Sequence, residues 1–140
     1  MKVLIVEPGI VPYEKEINGL KEMQAVVGGS IQAIYPFSER LAVVCNEEGL
    51  INDLPFNRSV PGDYGGVFGT FFVCGVGEET FCSLTSAQME TYKKQFQKAE
   101  ILLGARETEP ITMKVSARDK GRASPEKNRD TPPDPSAITR

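Results

Sequence analysis

The chain predicts an α+β domain, a mostly antiparallel sheet of about five strands with two helices packed on one face, followed by a disordered C-terminal tail. Three observations carry that reading. Short β-branched or alternating segments recur between Lys2 and Val76, each closed by Pro, Gly or Asn. Two stretches carry helical periodicity between recognisable start and stop residues. Past residue 115 large apolar side chains all but vanish, leaving Ile138 among four prolines.

Lys2 to Glu7 is β-branched and closes on Pro8-Gly9, a strand and its turn. Pro12 to Ile17 alternates charged and apolar residues, as a strand paired back in a hairpin does. Asn18 is placed to cap a helix whose apolar positions Leu20, Met23, Val26 and Val27 fit a 3.6-residue period. Gly28-Gly29 ends it, because a glycine just past the helix takes the left-handed conformation without Cβ strain. Ser30 to Tyr35 alternates like a half-buried strand. Leu41 to Cys45 is continuously apolar, as in a central strand, and Asn46-Glu47-Glu48-Gly49 is turn chemistry.

From Leu50 to Gly66 the periodicity fails, which predicts a long loop with room for one helical turn. Val67 to Val76 is the most apolar window, and Gly69 inside it implies a bulge or a close backbone contact. Thr85-Ser86-Ala87-Gln88 matches a capping box, with Leu84 and Met89 spaced for a hydrophobic staple. Met89, Tyr92, Phe96, Ala99 and Leu103 extend a helical face to a stop at Gly104. The expected organisation is a single domain over 1–104, an edge strand or linker over 105–115, and a disordered tail over 116–140. The tail's polarity cannot offset its ordering entropy.

Composition narrows the function classes. Residues 1–104 hold 8 Lys and Arg against 13 Asp and Glu, a balance of −5, while 105–140 are +2. An acidic domain lacks the cationic footprint that nucleic-acid backbones require, so direct nucleic-acid binding is disfavoured. The first apolar run is four residues, too short for a signal peptide. No 18 apolar residues run together, which argues against a membrane span. Cys45, Cys74 and Cys82 show no CxxC spacing, and a reduced, cytoplasmic setting is expected.

Histidine is absent. That excludes Ser-His-Asp and Cys-His nucleophile systems and His-bearing zinc sites. Gly65-Gly66-Val67-Phe68-Gly69 lacks the GxxxxGK[ST] pattern and leads into a strand, so it reads as a bend rather than a phosphate loop. Glu47-Glu48 and Glu78-Glu79 are adjacent acids of the kind that are usually solvated. No cofactor motif is present.

Two polar clusters remain as candidate binding residues: Asn46, Glu47 and Glu48 after the apolar strand, and Asn57 and Arg58 inside the long loop. Long ordered loops are often functional, and Arg offers a planar fork for a carboxylate or phosphate. The competing role is structural, with Asn57 capping a turn and Arg58 pairing with Glu47 or Glu48.

These same residues carry a resemblance. MKVLIVEPG, a helix ending in VVGG, IQAIYP, CNEEGL, LPFNR and GTFFVCG occur in an order that resembles domain of unknown function 3846, over roughly Met1 to Phe96. Similar proteins are carried by phages, conjugative elements and Gram-positive gut bacteria, which implies an accessory protein of mobile DNA. The family has no assigned catalytic or binding residues to carry over. The functional expectation is a non-enzymatic module that captures a host protein or a small ligand. The alternative is a carboxylate- or metal-dependent enzyme using Glu47, Glu48 and Arg58 on a nucleotide-like substrate. Convergence of Glu47, Glu48, Asn57 and Arg58 in one concave pocket would separate the two.

Overall fold

A computed structural model describes residues 1–107 and 109–120. They form, in order, β1 (Lys2–Val6), β2 (Tyr13–Glu16), α1 (Gly19–Val27), β3 (Ile31–Ile34), β4 (Leu41–Asn46), β5 (Phe56–Ser59), a 3-10 turn (Gly62–Tyr64), β6 (Gly66–Phe68), β7 (Phe71–Val76), β8 (Phe81–Cys82), α2 (Ser86–Gln95), β9 (Ala99–Arg106) and β10 (Glu109–Val115). The α+β class holds, and every strand pair is antiparallel. The main sheet runs β2-β1-β7-β4-β3, with β8 on the end of β7. Two further hairpins, β5–β6 and β9–β10, lie off this sheet. Among the described residues no helix is long and apolar enough to cross a membrane.

The helices do not share a face, which corrects the sequence expectation. Leu4, Val6, Leu41, Val43, Phe71 and Val73 pack with Met89 and Tyr92 of α2 and with Phe96 just past its end. Their alternate neighbours Val3, Ile5, Ala42, Val44, Phe72 and Cys74 pack with Val27, Met23 and Val26 of α1. The cause is legible in β1, β4 and β7, which are apolar at consecutive positions. Such strands present two apolar faces, and a helix on one side would leave the other in water.

Helix α2 begins where the capping box puts it. Thr85 Oγ1 accepts from Gln88 N at 3.1 Å, Gln88 Oε1 accepts from Thr85 N at 2.9 Å, and Leu84 and Met89 are both buried. It ends earlier than expected, at Gln95 instead of the residue before Gly104. A continuing helix would hydrogen-bond the Phe96 carbonyl to the amide four residues on. Here the Arg58 guanidinium takes that carbonyl twice, from Nε at 3.1 Å and from Nη2 at 2.9 Å. A residue 38 positions away thus holds the carbonyl just past the helix end, and the chain continues into β9 at Ala99–Arg106.

The expected loop over 50–66 contains the strand β5 as well as its one helical turn. The apolar window 67–76 is split at Gly69, whose φ of +85° and close approach to Leu54 leave no space for a Cβ. At the C-terminal end, β9 runs through residue 104, and the chain after β10 returns to the start of the fold. Arg118 N donates to Gly9 O at 3.0 Å and Arg118 O accepts from Val11 N at 2.7 Å. Residues 116–120 are thus strapped to the exit of β1, where the sequence predicts a disordered tail. The rest of that predicted tail, 121–140, lies outside the described residues.

Candidate ligand cleft

A cleft of about 480 Å³ opens on the α2 side of the sheet. Its floor is the end of the sheet, with Gln32 and Ile34 of β3 and Cys45 and Asn46 of β4. One wall is the β5–β6 hairpin with its 3-10 turn, contributing Phe56, Tyr64, Val67 and Phe68. The lip is Glu47 and Leu50 of the turn after β4, and Leu102, Ala105 and Pro110 of β9–β10 close the far side. Phe56 and Phe68 meet edge to face with ring centres 5.3 Å apart. Gly66 sits under the Phe56 ring so closely that a Cβ would stand 2.4 Å from it. A glycine there leaves room for the ring.

The five residues singled out in the sequence are divided by the fold. Asn46 and Glu47 line the cleft. Asn46 is buried and mostly structural: Nδ2 donates to Val27 O at 3.2 Å, and Oδ1 accepts from Glu48 N at 2.7 Å. It ties the end of α1 to β4 and shapes the turn that presents Glu47. The Glu47 amide donates to Ser30 O at 2.9 Å, while its side chain is exposed and has no partner among the described residues. Glu48 is exposed on the same turn but does not line the cleft.

Asn57 and Arg58 are 0% exposed and contribute nothing to the cleft wall. Asn57 Nδ2 donates to Val6 O at 2.8 Å and Gly69 O at 2.9 Å, and its Oδ1 accepts from Arg58 Nη1 at 2.8 Å. Arg58 Nη2 also donates to Ile10 O at 2.8 Å, and Nη1 reaches Glu7 O and Asn57 O at 3.4 Å. Among the described residues no carboxylate, Glu47 and Glu48 included, lies within ion-pair distance of it. Burial pulls the guanidinium down to about 10, against a small opposing effect of the Glu100 charge, and it stays cationic at neutral pH. Backbone carbonyls from three segments solvate it in place of water. The four residues whose convergence was the discriminating feature therefore do not converge: only Glu47 faces the concavity.

Residues 1–97 match the family model described as Domain of unknown function (DUF3846). The chain belongs to this family. No curated protein and no solved structure matches it. In this DUF3846 chain the floor, lip and aromatic wall of the cleft lie inside the matched span. Leu102, Ala105 and Pro110 come from the hairpin beyond it.

Sequence reasoning missed the aromatic wall and the hairpin side of the cleft. Phe56 and Phe68 fall on short strands whose pairing partners are set by tertiary contacts. Ile101-Leu102-Leu103 was the available signal, since three consecutive apolar residues suit a strand better than the edge of a helix. A second recess of about 370 Å³, near Glu7, Tyr13, Thr70 and Lys120, was also missed. There Glu7 accepts from the Tyr13 hydroxyl and pairs with Lys120 at 3.0 Å. Among the described residues no three acidic or cysteine side chains are grouped to hold a metal ion.

Proposed function

We propose that this domain captures a small, largely apolar ligand in the cleft and does not transform it. The observation that carries the reading is the cleft itself. At about 480 Å³ it falls in the size range of small-molecule sites, and it joins aromatic and aliphatic walls to a few polar groups at one end. The one thiol among its described lining residues, Cys45, is pushed up by burial, which keeps it protonated, and its Sγ–H points at Gln32 O 3.6 Å away. Of the groups that the enzyme alternative calls on, Glu47, Glu48 and Arg58, only Glu47 lines the cleft, and Arg58 is saturated by contacts inside the domain. The proposed setting is a cytoplasmic accessory role in a phage or mobile element, as the resemblance stated from the sequence implies.

One observation favours the other form of capture. The β9–β10 hairpin leaves Ile101, Leu103, Ile111 and Met113 exposed, a surface on which a host protein could dock.

The cleft reading is tested with N-phenyl-1-naphthylamine, a neutral flat molecule whose fluorescence rises in apolar surroundings. Saturable binding at one site is expected for the natural chain. Ala105→Trp, which introduces an indole into the cleft from an exposed strand position, should abolish it. Binding that survives this substitution unaltered contradicts the assignment.

A further inference from the structure

We infer that the cleft selects for a small organic cation: an ammonium group carried on a flat apolar body. The inference rests on the reading of the cleft as a ligand site and adds the sign of the ligand's charge. Glu47 lines the cleft, and its carboxylate has no hydrogen-bond or ion-pair partner among the described residues. Among the described residues no Lys or Arg side chain contributes to the lining. Arg58, the cation of β5, is turned inward and held by Phe96, Ile10 and Asn57, and Arg106 and Lys114 of the β9–β10 hairpin are not among the lining residues.

The aromatic wall acts in the same direction. Phe56, Phe68 and Tyr64 all line the cavity, and the faces of such rings carry negative potential that attracts ammonium groups. Leu50 and Leu102 border the same space and add apolar surface for the body of the ligand. The balance of −5 over residues 1–104 gives the approaching ligand a field of the same sign. A carboxylate or phosphate ligand would meet Glu47 with no countercharge among the described lining residues. A cationic one finds an unpaired acceptor at the lip and rings beside it.

The test is a calorimetric titration of the full chain with two molecules of matched shape, 1-naphthylmethylammonium and 1-naphthoate. At low ionic strength the ammonium should bind about tenfold more tightly, the scale expected for gaining one partly exposed ion pair and avoiding one like-charge contact. The ratio should fall as salt is raised. In Glu47→Gln, an exposed position at which the fold is expected to persist, it should drop to about twofold or less. The melting temperature of that variant is read alongside. Equal affinities in the natural chain, or a preference that survives Glu47→Gln, overturn the cation assignment. Binding of neutral N-phenyl-1-naphthylamine then shows whether the cleft reading itself still stands. Failure of all three molecules to bind overturns both.

Discussion

Replacing Arg58 with alanine removes six hydrogen bonds made by a side chain with no exposed surface. The Phe96 carbonyl loses both its Arg58 donors, and Ile10 O and Asn57 Oδ1 each lose a donor at 2.8 Å. An acceptor stranded in this way costs about 1–3 kcal/mol. Loss of the buried aliphatic stem adds roughly 2 kcal/mol. Relief of the desolvation that the guanidinium now suffers returns several kcal/mol. The balance is a loss of roughly 3 kcal/mol, a large fraction of a small domain's stability. Arg58→Lys should recover only part of it, since an ammonium cannot reach the end of β1 and the end of α2 with one planar fork. Urea unfolding followed by far-ultraviolet circular dichroism measures both variants. A loss below about 1 kcal/mol for Arg58→Ala, the size of an ordinary substitution, would refute the role of this residue as the clasp of the fold.

Three further outcomes are expected. A chain ending at Val115 lacks the Arg118 bridge to Gly9 and Val11 and the Lys120–Glu7 pair. It should be less stable than one ending at Lys120 by about 1–2 kcal/mol, and equal unfolding midpoints would contradict the strap. Burial of Glu7 opposes its charge, but hydrogen bonds from Tyr13 and Lys120 and the charges of Lys120 and Lys15 outweigh this and lower its pKa below 4.5. Its contribution to stability is therefore full above that unfolded value and disappears as pH falls through the lower folded one. Glu7→Gln should flatten the acid limb of a stability–pH curve, and an unchanged limb would count against the assignment. Thr85→Ala should cost about 1 kcal/mol through loss of the capping box, with an unshifted urea midpoint as the contrary result.

What the sequence reveals about this protein is local, and what it conceals is tertiary. The capping box at Thr85 and Gln88 and the glycine stop at Gly28 are decided by residues a few positions apart, and both are found where the pattern places them. The continuous apolar run at Leu41–Cys45 gives the buried strand, and read one step further it also demands a helix on each face. The end of α2 leaves no local mark, and the group that holds the carbonyl just beyond it belongs to Arg58. The same holds for Asn57 and Arg58 themselves. Their residue types suit ligand recognition and carbonyl solvation equally, and only their burial between β1, Gly69 and α2 separates the two. Glu47 was legible as a candidate because turn acids are exposed. Its neighbours in the cleft, Tyr64, Phe68 and Leu102, lie up to 55 residues away in the chain.

The most direct test of the central claim is to map where a bound molecule sits. Amide chemical shifts of isotope-labelled protein should be followed during titration with N-phenyl-1-naphthylamine. The cleft predicts the largest changes at Gly49, Gly66 and Leu102, with little change at Glu7, Tyr13 and Lys120 around the second recess. Changes centred on that recess, or on the exposed face of Ile101 and Met113, would contradict it.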